Sequence, residues 1–256
     1  MKMKYYFKRI INNKIKLGVF LLIMAFPIYD IYMIIKEIGK GQTALDPNIA
    51  SFLSSSIFNS AQILLLWYLP LYFLILAADD CIEDHKLGYK NLLVAKWGKR
   101  SYFRTNIIKG FLIGFFAILT SLSLNLILTQ IAFAGGTDIG FDSETIETLD
   151  SLRVAFEHPF LRNIECILLL ALIAGIVSMG AVAMGMALRN RLLVYPIVFS
   201  MWYIPSSTFE RPIMLAVDPF SEYTIQDCVP SIIFAVGINL AAVAFAYIKE
   251  IKYEQV

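Results

Sequence analysis

Residues 164–188 read IECILLLALIAGIVSMGAVAMGMAL, an uncharged run apart from Glu165 near its start. At about 1.5 Å of rise per helical residue, the run crosses the roughly 30 Å hydrocarbon core of a bilayer with length to spare. No water reaches backbone groups at that depth, so the stretch dictates an α-helix, which bonds its own N–H and C=O groups. Working outward, five further apolar stretches alternate with polar ones. The expected spans are 17–35, 57–78, 107–132, 164–188, 192–209 and 230–248. Pro196 and Pro205 interrupt the fifth, and Ser206–Thr208 make its end polar, so a broken or re-entrant segment is the alternative there. The expected fold is an all-α integral membrane protein of six transmembrane helices, one domain over 1–256.

Composition agrees. The chain is 58% hydrophobic and 16% charged, against about 45–50% and 25% for soluble domains. The net charge of +2 matters less than its placement. Seventeen Lys and Arg residues fall on the side that carries both termini and the 79–109 loop, and five fall in the opposite loops. Acidic residues run the other way, with Asp138, Asp142, Glu144, Glu147, Asp150 and Glu157 crowding 133–163. The excess of basic residues on cytoplasmic loops places both termini in the cytoplasm of a multi-pass cell-membrane protein. The basic N-terminus is not followed by a small-residue cleavage site, which favours a retained first span over a signal peptide. There is no basic tract with interleaved aromatics for nucleic acid. Cys81, Cys166 and Cys228 are scattered and odd in number, which favours neither a disulfide framework nor a zinc site.

Two connections have a character of their own. In the external loop, Ile146, Leu149, Leu152 and Phe156 recur near a 3.6-residue period, with Asp142 or Ser143 placed as a cap. This predicts an amphipathic helix on the outer membrane surface, either a brace over the bundle or a ligand-binding element. On the cytoplasmic side, residues 79–109 use nearly thirty residues where a minimal crossing needs only a few. The segment starts acidic (Asp79, Asp80, Glu83, Asp84), ends basic (Lys99, Arg100, Lys109), and carries Leu87, Leu92, Leu93, Val94, Trp97, Tyr102 and Phe103. It reads either as a solvated loop or as short helices along the membrane that form a surface for a cytoplasmic partner.

The order acidic pair, Gly88, Leu92-Leu93, Arg100, Lys109 resembles the cytoplasmic loop of ABC-2 type transporter permeases. Gly180 and Gly185, the short turn Arg189-Asn190-Arg191, and Pro205-Ser206-Ser207 are similar to that family's fourth and fifth helices. Tyr89 departs from the small hydroxyl residue usual after the glycine, and Trp97-Gly98 stands where a proline is common. The resemblance implies a coupling helix within about 83–103, with Glu83, Asp84, Gly88, Leu92, Leu93, Lys99 and Arg100 facing a separate ATPase. It also implies an N-terminal interfacial helix at about 4–16, with Tyr5, Tyr6, Phe7 and five basic residues in the headgroup layer. The expected assembly is two ATPase subunits, a second copy of this permease or a related one, and membrane lipid. ATP and Mg would sit on the ATPases, since no Gly-x-x-x-x-Gly-Lys-Ser/Thr loop occurs in this chain. The implied cargo is an amphipathic peptide, antibiotic or lipid-like molecule. The alternative is a non-transporting immunity or sensory protein that binds its target at the outer surface.

Within the spans, Gly175, Gly180 and Gly185 belong to a small-residue series that either packs helices tightly inside the chain or forms a seam between protomers. Asp30, Asn59, Gln62, Asn125 and Gln130 are polar residues in outer halves of spans. They either bond helix to helix or line a substrate path. Cys81/His85 and Asp80/Asp84 are spaced i, i+4, but two such ligands on a helix end are a weak metal signal, and none is expected. Both histidines lie outside the spans and His-Glu-x-x-His is missing, so no catalytic site is expected.

Overall fold

The computed structural model describes residues 9, 12–39, 45–54, 59–140, 146 and 149–253. Among them the regular secondary structure is all helical, apart from one isolated β-bridge, Leu45 to Asp138. In chain order the helices are α1 Lys14–Ile38, α2 Asn59–Trp67, α3 Leu69–Phe73, α4 Asp79–Lys86, α5 Tyr89–Trp97, α6 Lys99–Ala132, α7 Asp150–Glu157, α8 Pro159–Leu188, α9 Arg191–Ser207, α10 Ile213–Ala216 and α11 Val229–Ile248. Single π-turns join α3 to α4 (Leu74–Ala78) and extend α11 (Lys249–Tyr253).

Four helices, α1, α6, α8 and α11, are long and apolar enough to cross a membrane, and the bent α2–α3 pair makes a fifth if it counts as one span. The chain is therefore an all-helical, multi-pass membrane protein. The bend of 52° lies in the second stretch, not the fifth. Pro70 has no N–H for the carbonyl of Leu66, and the indole of Trp202 on α9 donates to that carbonyl at 2.8 Å. Tyr72 Oη donates likewise to the carbonyl of Leu64 at 2.8 Å. By contrast, α9 continues unbroken through Pro196 and Pro205 over 17 residues. The third expected span, 107–132, is the far part of a longer helix that begins at Lys99.

The central element is α8, buried over 72% of its most apolar window where α1 and α11 reach 28%. Glycines on both partners let α6 and α8 touch. A Cβ on Gly114 would lie 2.5 Å from the Ala174 carbonyl oxygen, one on Gly110 2.8 Å from Val182, and one on Gly175 2.8 Å from the Phe111 ring. Gly180 lies against Asn239 of α11 and Gly185 against Ala78, so all three glycines of the small-residue series face helices of the same chain.

One end of the bundle, called here the capped end, is closed by segment 45–54 and by α7. Ala50, Phe52 and Leu53 are buried. A helix is present over Asp150–Glu157, within the segment expected to be helical, with Leu152 and Ala155 packed on Ile49 and Phe220, and the Phe156 and Phe220 rings stacked at 4.8 Å. Its expected caps, Asp142 and Ser143, lie outside the described residues. So does the expected interfacial helix at 4–16, apart from Arg9 and the residues from Asn12 onward.

Candidate functional site: a buried charge cluster beneath an exposed helical hairpin

The opposite end of the bundle, the charged end, is built around α4. On a helix, positions four apart share a face. Asp80 and Asp84 point into the bundle, each 1% exposed, while Asp79 and Glu83 point along its flank. Carboxylates at such depth persist only when cations meet them. Lys16, at the start of α1, pairs with Asp80 Oδ1, and Arg9 Nε lies 3.1 Å from the same oxygen. Lys109 of α6 approaches Asp80 Oδ2 at 3.3 Å. Arg9 Nη1 also donates to Asp84 at 2.6 Å. On the flank, Arg191 bridges Asp79 at 3.1 Å and Glu83 at 2.8 Å, and Tyr195 Oη donates to Asp79 at 3.3 Å. Four carboxylates thus face four cations drawn from the N-terminal segment, α1, α6 and the start of α9.

The π-turn before α4 completes the cluster. Its last carbonyls accept the same lysines, Leu76 from Lys16 Nζ and Ala77 from Lys109 Nζ, each at 3.2 Å. Each ammonium is therefore shared between a carboxylate and a backbone dipole, as a buried charge requires. Cys81, beside Asp80, donates to Asn106 Oδ1 at 3.5 Å. The i, i+4 acidic face is filled by basic side chains, and no group of His, Cys, Asp and Glu suited to a metal occurs among the described residues.

Beyond α4 the chain turns twice on glycines. Gly88 (φ 70°, ψ 1°) opens α5 and Gly98 (φ 80°, ψ 149°) closes it into α6. Both have positive φ, which favours glycine. On α5, Lys90 and Leu93 are buried, and Lys90 Nζ pairs with Glu250 at 2.6 Å. Glu250 also receives Arg189 Nη2 at 3.1 Å, so the π-turn after α11 holds α5 in place. The rest of the hairpin is open, with Leu87 78% and Leu92 66% exposed beside the exposed Lys86, Asn91 and Lys96.

The residues expected to face an ATPase therefore divide. Asp84 and Leu93 are buried and Glu83 is tied to Arg191, whereas Leu92 and Arg100 are exposed and Gly88 shapes the turn. Lys99 begins α6 half-buried. The sequence singles out the acidic start and Lys109, but not Arg9, Lys16 and Arg191 as partners of those carboxylates, nor Glu250 as the partner of Lys90. The cationic surplus at this end is the available signal.

The polar span residues sit toward the capped end and hold segment 45–54. Asn125 Oδ1 accepts from Phe52 N at 2.9 Å and its Nδ2 donates to Pro27 O at 3.0 Å. Gln62 donates to Leu53 O at 3.1 Å and Gln130 to Asn48 at 2.9 Å. Asn163, which the sequence does not single out, joins them by accepting from Ser51 at 2.6 Å and donating to Asn48 O at 3.1 Å. Asp30 is buried, and its Oδ2 has no hydrogen-bond partner among the described residues. The side chain of Asn59 lies outside them.

Residues 20–214 match a family model described as "Protein of unknown function (DUF2705)". The chain is 30% identical over 256 residues to "Uncharacterized protein YybM" of Bacillus subtilis (strain 168), which covers 99% of this chain and 100% of that protein. No solved structure matches.

Proposed function

The chain belongs to the DUF2705 family of proteins of unknown function, and we propose that it is the permease subunit of an ABC-2 type exporter driven by a separate ATPase. In this reading six segments cross the membrane, with α2–α3 as the bent second span and α9 as the fifth. The charged end and both termini face the cytoplasm. Two ATPase subunits carrying ATP and Mg act on two permease chains, and the cargo is an amphipathic peptide, antibiotic or lipid-like molecule.

One observation carries this reading. The hairpin α4–α5 presents Leu87 and Leu92 to solvent on one side, and on the other Asp80 binds it to α1 and α6 through Lys16 and Lys109. A partner seated on those leucines would therefore move two long helices through ion pairs buried in the bundle. Differential affinity for cargo in the two resulting arrangements gives the cycle its direction.

The test is co-purification from native membranes. The wild-type chain should elute with an ATPase whose turnover depends on it. Leu92→Asp should abolish both co-elution and dependent turnover while leaving the chain's own thermal unfolding unchanged, since Leu92 packs on little. Retained complex and retained turnover in Leu92→Asp, or transport by the purified chain alone, would sink the proposal.

A further inference from the structure

At the capped end, a cavity of about 460 Å³ opens between α7, the first turns of α8 and residues 224–226. That volume falls within the range of small-molecule sites. Its wall combines apolar Val154 and Leu161 with His158, Arg162, Glu165 and Gln226. Arg162 is fixed from behind, its Nε donating to the Pro219 carbonyl at 3.3 Å and its Nη1 to Glu165 Oε2 at 3.3 Å. Its side chain is 19% exposed and that of Glu165 64%. Arg162 Nη2 and Glu165 Oε1 have no partner among the described residues.

The position of Glu165 is the informative point. Leu161, Glu165, Leu168 and Leu172 follow at spacings of four, three and four, which places them along one face of α8. All four are exposed. On a helix that crosses a membrane this face meets lipid, and a carboxylate just inside the bilayer boundary is costly unless a cation satisfies it. Arg162 supplies one contact and leaves the other oxygen open.

We propose that the cavity binds the head of an ethanolamine-type phospholipid, with its primary ammonium on Glu165, its phosphate on Arg162, and its acyl chains along Leu161, Leu168 and Leu172. An N–H-bearing ammonium fits better than a trimethylated one. The latter has no donor for Glu165, and no Trp, Tyr or Phe lines the cavity to form an aromatic cage. A head that carries only phosphate and hydroxyls offers Glu165 a neutral donor but no positive charge to offset its own. The site needs no ATPase and stands apart from the exporter reading.

Native mass spectrometry of the full chain in detergent tests it, with phosphatidylethanolamine, phosphatidylcholine and phosphatidylglycerol of identical acyl chains. Phosphatidylethanolamine should be retained about tenfold better than the other two, the loss expected from removing one hydrogen bond to a charged group. Glu165→Gln should erase that preference. Val154→Trp, which fills the cavity from an exposed position, should do the same with unchanged thermal unfolding. Equal retention of all three lipids, or a preference that survives both substitutions, overturns the site. Soluble glycerophosphoethanolamine at matched concentration should not displace the lipid; displacement would make the ligand a soluble amine phosphate and overturn the lipid assignment.

Discussion

Lys109 and Asp80 meet at 3.3 Å inside the bundle, 29 residues apart in sequence and each with a side chain no more than 2% exposed. The same ammonium donates to the Ala77 carbonyl at 3.2 Å, so one lysine of α6 clamps both the π-turn and the first turn of α4. The contact joins the longest helix of the protein to the hairpin that emerges from the charged end. Because Lys16 and Arg9 share the same carboxylate, Asp80 is the common partner of three cations, and the consequences of removing it differ from those of removing any one of them.

Asp80→Asn removes the charge that three buried or half-buried cations share, and leaving buried charge uncompensated costs about 3–5 kcal/mol. Lys109→Met leaves Asp80 with Lys16 and Arg9, so it should destabilise distinctly less. In the double variant, Lys109→Met should recover part of the Asp80→Asn loss, because one stranded cation has gone. Thermal unfolding of the detergent-solubilised chain reads all three. If Lys109→Met proves as damaging as Asp80→Asn, the carboxylate is not the hub.

Gly180 lies under Asn239, and a Cβ there would run into Asn239 Oδ1. Gly180→Ala must therefore displace the amide, at the roughly 1–3 kcal/mol typical of overpacking. Asn239 gives up little when truncated, since its Nδ2 bonds the Ala235 carbonyl of its own helix at 2.8 Å and its Oδ1 has no hydrogen-bond partner among the described residues. Gly180→Ala with Asn239→Ala should regain most of the lost stability. Gly237→Ala, with nothing within 4 Å, is the matched control and should be neutral or mildly stabilising. A Gly180→Ala protein as stable as wild type would show that α8 and α11 do not approach this closely.

What the sequence makes legible here follows from the range of each interaction. Apolar runs near twenty residues specify membrane helices locally, and α1, α8 and α11 appear where hydropathy puts them. The bend does not, because Pro70 looks no more disruptive in sequence than Pro196 or Pro205. The bent geometry at Pro70 is supported by Trp202, whose indole reaches the orphaned Leu66 carbonyl from 136 residues away. The acidic pair is visible as charge and the basic surplus as a topology signal, yet nothing local matches Asp80 to Lys16 and Lys109. Asn125, Gln62 and Gln130 stand out as polar residues at apolar depth. Three of their acceptors and donors are backbone groups in or beside segment 45–54 and Pro27, which no side-chain pattern advertises.

Asp218 gives the fold a pH dependence of definite sign. Burial pushes its carboxyl from 3.8 up to about 6, against the opposing pull of the Phe220 N–H and Arg162. The folded protein therefore holds this proton more tightly than the unfolded chain does. The stability that this adds is fully present below about 4 and is lost as pH rises through about 6. The unfolding temperature should show a downward component across that interval which Asp218→Asn removes, since asparagine keeps an oxygen for the Phe220 N–H bond seen at 3.1 Å. An unchanged slope in Asp218→Asn would assign the dependence elsewhere.

The two glycines that frame α5 should respond differently to one substitution, and the difference isolates backbone from packing. A Cβ added at either would find no atom within 4 Å, so extra bulk meets open space at both. Gly88 sits at φ 70°, ψ 1°, the left-handed region that asparagine also visits, while Gly98 sits at φ 80°, ψ 149°, close to a region that only glycine occupies readily. Gly88→Asn should therefore cost under about 1 kcal/mol and Gly98→Asn about 1–3 kcal/mol. Chemical denaturation of the two variants side by side measures it. The Gly98 variant should also expose the amides of α5 to faster hydrogen exchange, because α6 can no longer leave the hairpin at the angle that seats Lys90 on Glu250. Equal penalties at the two positions would mean that the exit turn carries no strain of its own and that the hairpin is held by its ion pairs alone.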